Sequence, residues 1–88
     1  MQKYENKLVY EKDGKEVGSI EYQPIDDKTI EIIHTYVDQE YRGEHIAAIL
    51  TEELFKMLKQ ENKKAICSCS YAESWIKKHP EYSEQVVS

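Results

Sequence analysis

A turn between a strand-like segment and a helix-like segment is the part of the sequence best suited to hold an anion. Thr29–Val37 is rich in β-branched and aromatic residues, which is typical of a buried strand. Beyond a turn at Asp38–Gly43, apolar residues recur at helical spacing and fall on one helix face. These residues are Ile46, Ile49, Leu50, Leu54, Met57 and Leu58. The first N–H groups of a helix lack intrahelical partners, and with the helix dipole they attract anions. Arg42 and Gly43 are therefore predicted to form a phosphate-binding turn, and a simple helix-start turn is the alternative.

Two cysteines offer a second kind of chemistry. Cys67 and Cys69 are two positions apart, which on a strand separates them by about 6.5 Å. A disulfide at that distance is strained, so we expect free thiols in a reducing compartment. Cys69 precedes a predicted helix start, where the dipole lowers the pKa of a thiol. A nucleophilic or acyl-carrying Cys69 competes with a buried structural cysteine, and Cys67 is predicted to be structural.

A histidine lies inside the central strand-like segment. His34 is predicted to share a strand face with Ile30, Ile32 and Tyr36. It could act as a general base or as a hydrogen-bonded structural residue. The two cysteines and a histidine supply zinc ligands but lack a recognised spacing, so no metal site is predicted.

The elements before the turn form a predicted meander of three strands. Asp13-Gly14 separates strand-like runs at Lys7–Lys12 and Lys15–Gln23, and Asp-Gly is a strong hairpin signal. Pro24–Lys28 is predicted to be a second loop, after which Thr29–Val37 returns antiparallel.

The elements after the turn cover and extend this sheet. A helix is predicted over about Arg42–Glu61, with Asn62 as a left-handed cap. A right-handed crossover then places a strand at Ala65–Cys69 parallel to the third strand. Ser70 and Glu73 form a capping-box pattern that starts a second helix. The predicted fold class is therefore α/β, with the order β-β-β-α-β-α and a mixed sheet.

Length and charge exclude several classes of function. The 88 residues predict a single domain over 1–88. The net charge of -5 argues against nucleic-acid binding, because phosphate backbones need clustered basic residues. No apolar run approaches the roughly 20 residues of a membrane span, and the polar N-terminus lacks a signal peptide's apolar core. We therefore expect a cytoplasmic protein.

Four short motifs resemble a known family. They are His34-Thr35-Tyr36-Val37, Tyr41-Arg42-Gly43, Cys69-Ser70-Tyr71 and His79-Pro80-Glu81-Tyr82. The segment from Val37 to Ala47 is similar to the acetyl-coenzyme A motif of the GNAT N-acetyltransferase superfamily. The four motifs in this order resemble a subfamily of very short GNAT-like proteins.

This resemblance implies a mode of coenzyme A binding. The coenzyme pyrophosphate would lie on the turn amides, and the pantetheine would pair with the backbone of Tyr36 and Val37 where two parallel strands diverge. The implied turn residues are Arg42, Gly43, Glu44, His45, Ile46 and Ala47. By the spacing of the resemblance, Cys69 takes the position where the superfamily often has an asparagine after this strand. Cys69 and the strand residue His34 are the candidate catalytic residues.

The chain departs from the family pattern at two places. The subfamily has Gly-Gln-Gly after the arginine, whereas here Glu44 brings a carboxylate that repels phosphate and His45 brings a side chain to the close-approach position. Ile76 stands where the superfamily has a tyrosine that protonates the departing thiolate. The pattern therefore leaves the general acid unassigned.

The resemblance implies an acetyl-CoA-dependent N-acetyltransferase acting on an unknown amine acceptor. One alternative is a degenerate, non-catalytic GNAT-fold module that binds CoA or a protein partner. Another is an interaction domain that keeps only the fold.

Overall fold

The protein folds as a five-stranded sheet with helices packed on one face, seen in a computed structural model that describes residues 2–87. The strands are β1 (Gln2–Tyr4), β2 (Lys7–Lys12), β3 (Lys15–Asp26), β4 (Thr29–Val37) and β5 (Lys64–Cys67). The helices are α1 (Ile46–Gln60) and α2 (Ser70–Lys77), and short 3-10 turns lie at Gln39–Tyr41 and Pro80–Gln85. Among the described residues, no helix is both long and apolar enough to cross a bilayer.

The sheet topology confirms the predicted fold class. The strand order is β1-β2-β3-β4-β5, with antiparallel pairs up to β4 and a parallel β4–β5 pair. The Asp13-Gly14 hairpin is confirmed, because both residues have positive φ, 54° and 78°. The edge strand β1 was not predicted, since its three polar residues carry no alternating pattern. Its pairing with β2, in which Lys3 lies opposite Leu8, holds it in the sheet.

The core lies between one sheet face and α1. Leu50, Leu54 and Leu58 on α1 are completely buried, as the helical spacing predicted. Phe55, which was not predicted, is also completely buried, whereas the predicted Ile49 is exposed because it lies at the edge of that face. The buried residues of α1 pack on buried side chains of β3 and β4, which include Val17, Ile20, Tyr22, Ile30 and Ile32. The second helix joins this core through Trp75, whose ring stacks on Phe55 with centroids 5.5 Å apart.

An irregularity in β4 reverses the faces of the strand. Glu21 pairs with His34 but Tyr22 pairs with Ile32, so Ile33 is an extra residue that forms a β-bulge. The bulge places Thr35 across from the buried Ile20, on the core face. The prediction that His34 shares a face with Ile30 and Ile32 is therefore wrong, because the bulge shifts the alternation by one residue.

Several predicted boundaries also need correction. The helix α1 begins at Ile46 and not at Arg42, because Arg42 is extended and Gly43 and His45 both have positive φ. The predicted loop Pro24–Lys28 is mostly strand, since Pro24 pairs with Ile30 in the β3–β4 ladder. The capping box is wrong: Cys69 has the extended N-cap conformation and Ser70 is already helical.

The C-terminal end of α1 is as predicted. Asn62 has a φ of 55°, and its N–H donates to the Lys59 carbonyl oxygen at 3.3 Å. The N–H of Lys63 donates to the Leu58 carbonyl oxygen at 2.8 Å. This pair of bonds is the Schellman arrangement, which satisfies the last carbonyl groups of the helix.

Candidate functional site

The two parallel strands diverge next to the turn. Their pairing ends where Ile32 meets Cys67, and β4 continues to Val37 while β5 stops. The bulge at Ile33 lies at this point and bends β4, which accounts for the divergence. The N–H of Asp38 donates to the Val17 carbonyl oxygen at 2.7 Å.

That bond sets the direction of the last backbone groups of β4. Because backbone groups alternate along a strand, those of Tyr36 point to β3 and those of Thr35 and Val37 point to the gap. Of the two predicted pairing residues, Val37 therefore faces the gap with its backbone, whereas the backbone groups of Tyr36 face β3. Thr35, which the sequence did not single out, takes the second position.

The turn before α1 holds its backbone in an unusual conformation. Gly43 has a φ of 97° and His45, the N-cap residue, has a φ of 60°. The His45 side chain forms no capping hydrogen bond. The N–H groups of the first helical turn, at Ile46–Ala48, therefore keep their bonding capacity for a ligand.

A glycine in β3 brings this helix start close to the sheet. A Cβ atom at Gly18 would lie 2.7 Å from Ile46 Cγ2 and 3.1 Å from the Tyr36 carbonyl oxygen. Gly18 thus allows the first turn of α1 to rest directly on β3 and β4. The turn amides and the gap between the strands are adjacent for this reason.

A pocket of about 370 Å³ lies at this junction. Its walls come from the end of β4, the turn, the first turn of α1 and the start of α2. The lining residues are Val37, Tyr41, Arg42, Gly43, His45, Ile46, Ala47, Ala48 and Tyr71. The fold therefore gathers six of the predicted binding residues around one pocket, whereas Tyr36 and Glu44 do not line it.

Two tyrosines of the pocket were not predicted as site residues. In the sequence, Tyr41 and Tyr71 each stand out only as part of a short motif. Because the two tyrosines are far apart in sequence, no local pattern indicates that they share a pocket. Burial raises the pKa of the Tyr71 phenol, so this group stays protonated at neutral pH.

The tip of the β2–β3 hairpin makes ion pairs with the turn. Lys12 Nζ lies 2.8 Å from Glu44 Oε1, and Lys15 Nζ lies 3.4 Å from Asp38 Oδ2. The hydrogen bond with Glu44 raises the pKa of the Lys12 ammonium. Within residues 2–87, Arg42 forms no ion pair, which leaves its charge available to a ligand.

The thiol of Cys69 lies beside the diverging strands. Its Sγ atom is 3.5 Å from Thr35 Oγ1. Partial burial opposes the thiolate, but the Thr35 hydroxyl and the nearby N–H groups of Ala72 and Tyr71 outweigh it and lower the pKa of Cys69. The Cys69 side chain forms no capping hydrogen bond with the first N–H groups of α2. These N–H groups therefore favour the thiolate through their dipoles.

The other cysteine has the opposite character. Burial raises the pKa of Cys67, and the nearby Glu73 and Cys69 add to this effect. Neither cysteine forms a disulfide, as predicted. The two half-buried thiols therefore differ in the direction of their pKa shifts, which is downward for Cys69 and upward for Cys67.

The remaining candidate, His34, lies on the uncovered face of the sheet. It is exposed and pairs across the sheet with Glu21. It is adjacent in sequence to Thr35 but on the opposite face of β4. Neither of the two predicted catalytic residues, His34 and Cys69, is among the residues that line the pocket. The described part of the chain contains no group of His, Cys, Asp or Glu residues that could hold a metal ion.

Comparison with known proteins gives a family match and several relatives. A family model described as GCN5-related N-acetyl-transferase matches residues 5–86. Protein NATD1 of Danio rerio is 32% identical over 68 residues, which cover 75% of this chain and 62% of that protein. The chain thus spans less than two thirds of that relative's length.

Solved structures share the fold. A GCN5-like N-acetyltransferase candidate from Staphylococcus aureus has a TM-score of 0.79 at 26% identity, covering 98% of this chain and 85% of that one. A Mycobacterium tuberculosis protein solved in complex with CoA has a TM-score of 0.69 at 19% identity, covering 85% and 47%. At that identity the second likeness shows the fold alone.

Proposed function

Because the chain belongs to the GCN5-related N-acetyl-transferase family, we propose that it binds acetyl-CoA and transfers the acetyl group to an amine. The observation that carries this proposal is the gap between β4 and β5 beside a turn with open amides. An elongated, anionic ligand fits that arrangement, since the gap offers strand backbone and the turn offers N–H groups and Arg42.

Each part of the coenzyme has a counterpart in the chain. The open N–H groups at the start of α1, at Ile46–Ala48, and the Arg42 guanidinium would hold the pyrophosphate, whereas the N–H of Glu44 already donates to the Tyr41 carbonyl oxygen at 3.3 Å. The backbone of Val37, supported by Thr35, would pair with the pantetheine amides as an added strand would. The apolar walls of the pocket at Ile46 and Ala47 would exclude water from the ligand.

The chemical step that we propose uses the thiol of Cys69. Its thiolate attacks the acetyl carbonyl carbon, the thioester C–S bond breaks, and the departing thiolate takes a proton from the Tyr71 phenol. The amine then attacks the acetyl carbon on Cys69, whose thiolate leaves, while the Tyr71 phenolate formed in the first step takes up the proton from the amine; His34 takes no part, because it lies on the opposite face of the sheet. The lowered pKa of Cys69 supports its role as nucleophile, and Tyr71, which stays protonated at neutral pH, carries the proton that the departing thiolate takes.

A non-catalytic module that binds CoA is the second candidate. It is favoured by Ile76, which occupies the position of the family's usual acid and packs into the core away from the pocket. It is also favoured by the position of His34 across the sheet from the thiol. Under this alternative the chain would bind CoA but would transfer no acetyl group.

A pair of glycine variants tests the binding site. Gly43 and Gly14 both have positive φ, 97° and 78°, and a Cβ atom at either would meet nothing within 4 Å. Alanine at either position therefore adds about 1–2 kcal/mol of backbone strain without a clash. In calorimetric titrations, we expect Gly43→Ala to weaken CoA binding and Gly14→Ala to leave it unchanged. Equal effects, or no binding by the parent, would contradict the proposal.

Mass spectrometry separates the two candidate functions. After incubation with acetyl-CoA, we expect the parent to gain one acetyl group and Cys69→Ser to gain none. The acetylated parent should lose the group to added amines. A parent that binds CoA but is never acetylated, and that acetylates no amine, would favour the non-catalytic module.

A further inference from the structure

The carboxylate of Glu44 is turned away from the pocket that its neighbours line. Gly43 and His45 both contribute to the pocket wall, whereas Glu44 does not. Its Oε1 atom instead accepts a hydrogen bond from Lys12 Nζ at 2.8 Å. The two residues are 32 positions apart in sequence, so the hairpin tip brings the lysine to the turn.

The lysine is fixed at the rim of the same pocket. Its Nζ atom also lies 5.6 Å from the centroid of the Tyr41 ring, and Tyr41 lines the pocket. The ammonium is therefore held between a carboxylate and an aromatic face, which attracts cations. Lys15, on the other side of the hairpin turn, pairs with Asp38 at 3.4 Å, and Asp38 does not line the pocket.

We propose that Lys12 is a positioning residue for phosphate binding: it neutralises Glu44 and holds that carboxylate outside the pocket. The role rests on the proposed function, since the phosphates are those of CoA. A free carboxylate on the turn would repel a phosphate, and it could also turn inward to occupy the first-turn amides itself. The ion pair prevents both, so the turn tolerates an acid beside its anion site.

Charge alone does not account for this arrangement. Lys12 and Lys15 flank one hairpin turn and carry the same charge, but only Lys12 pairs with a residue between two pocket-lining positions. If Lys12 acted only through the net charge of the protein, Lys15 would contribute equally. If Lys12 instead contacted the ligand directly, the loss of Lys12 would weaken binding whether or not residue 44 carried a charge.

A double-mutant cycle tests the proposal. CoA is titrated by calorimetry into the parent, Lys12→Met, Glu44→Gln and the double variant, with Lys15→Met as the matched control. We expect Lys12→Met to weaken binding about fivefold, the factor for one charge repulsion across a few ångströms of water. The double variant should bind about as tightly as Glu44→Gln, because the charge that needed neutralising is gone. Lys15→Met should change affinity less than about twofold.

The outcomes separate this inference from the function on which it rests. A double variant as weak as Lys12→Met would show that the lysine contacts the ligand, and it would overturn the positioning role. Equal weakening by Lys12→Met and Lys15→Met would also overturn it. A parent that binds CoA with Lys12→Met unchanged would overturn the inference alone, whereas a parent that does not bind CoA would overturn both.

Discussion

The backbone at His45 gives a prediction that links stability to ligand binding. His45 is the N-cap of α1 and has a φ of 60°, in the left-handed region that favours glycine. A residue with a Cβ atom costs about 1–2 kcal/mol in that conformation. Glycine removes this strain but loses about 0.5–1 kcal/mol through the greater freedom of the unfolded chain. We therefore expect His45→Gly to raise the free energy of unfolding by about 0.5–1 kcal/mol, a rise in Tm of about 2–8 °C.

The same change should tighten CoA binding. Without a side chain at position 45, a phosphate can approach the turn amides more closely. One added charge-assisted hydrogen bond is worth about 1.5 kcal/mol or more, so we expect about a tenfold gain in affinity by calorimetry. The stability change is measured by thermal and urea unfolding without ligand.

Two variants separate the backbone from the side chain. His45→Ala removes the imidazole but keeps the strained Cβ atom, so it should improve affinity without improving stability. Asn62→Gly relaxes a residue with a similar φ of 55° at the far end of α1. It should leave affinity unchanged, and it should stabilise less because the short polar side chain of asparagine can hydrogen-bond locally in the left-handed conformation. A His45→Gly protein that is less stable than the parent, or that binds CoA no more tightly, would refute the reasoning.

Two further predictions concern the sheet and the thiols. Gly18→Ala should lower the free energy of unfolding by about 1–3 kcal/mol, because the new Cβ atom would lie 2.7 Å from Ile46 Cγ2 and α1 would have to shift. An unchanged midpoint of urea unfolding would contradict this account of the packing. Cys69 should react with iodoacetamide faster than Cys67 at neutral pH and reach its plateau rate at lower pH, since the pKa of Cys69 is lowered and that of Cys67 is raised. Thr35→Val should move the Cys69 profile to higher pH by deleting the hydroxyl that favours the thiolate, and an unmoved profile would exclude this role of Thr35.

The sequence alone determined the features that depend on consecutive residues. The Asp13-Gly14 hairpin, the buried face of α1 and the left-handed cap at Asn62 all follow from local conformation or helical spacing. The parallel placement of β5 also follows, since a strand, a helix and a strand allow one handedness of crossover. The turn of the proposed anion site belongs to this group, because its glycine and the helical periodicity that follows it are adjacent in sequence.

Only the tertiary structure decided which distant side chains meet. The bulge at Ile33 arises from the pairing of β4 with β3. It places His34 on the uncovered face of the sheet, whereas simple alternation predicted the face of Ile30 and Ile32. The pairing of Lys12 with Glu44 depends on how the hairpin lies over the turn, and the entry of Tyr71 into the pocket depends on how α2 packs. Local periodicity specifies the face of an element, but a contact between elements depends on register and packing, which no short stretch of sequence contains.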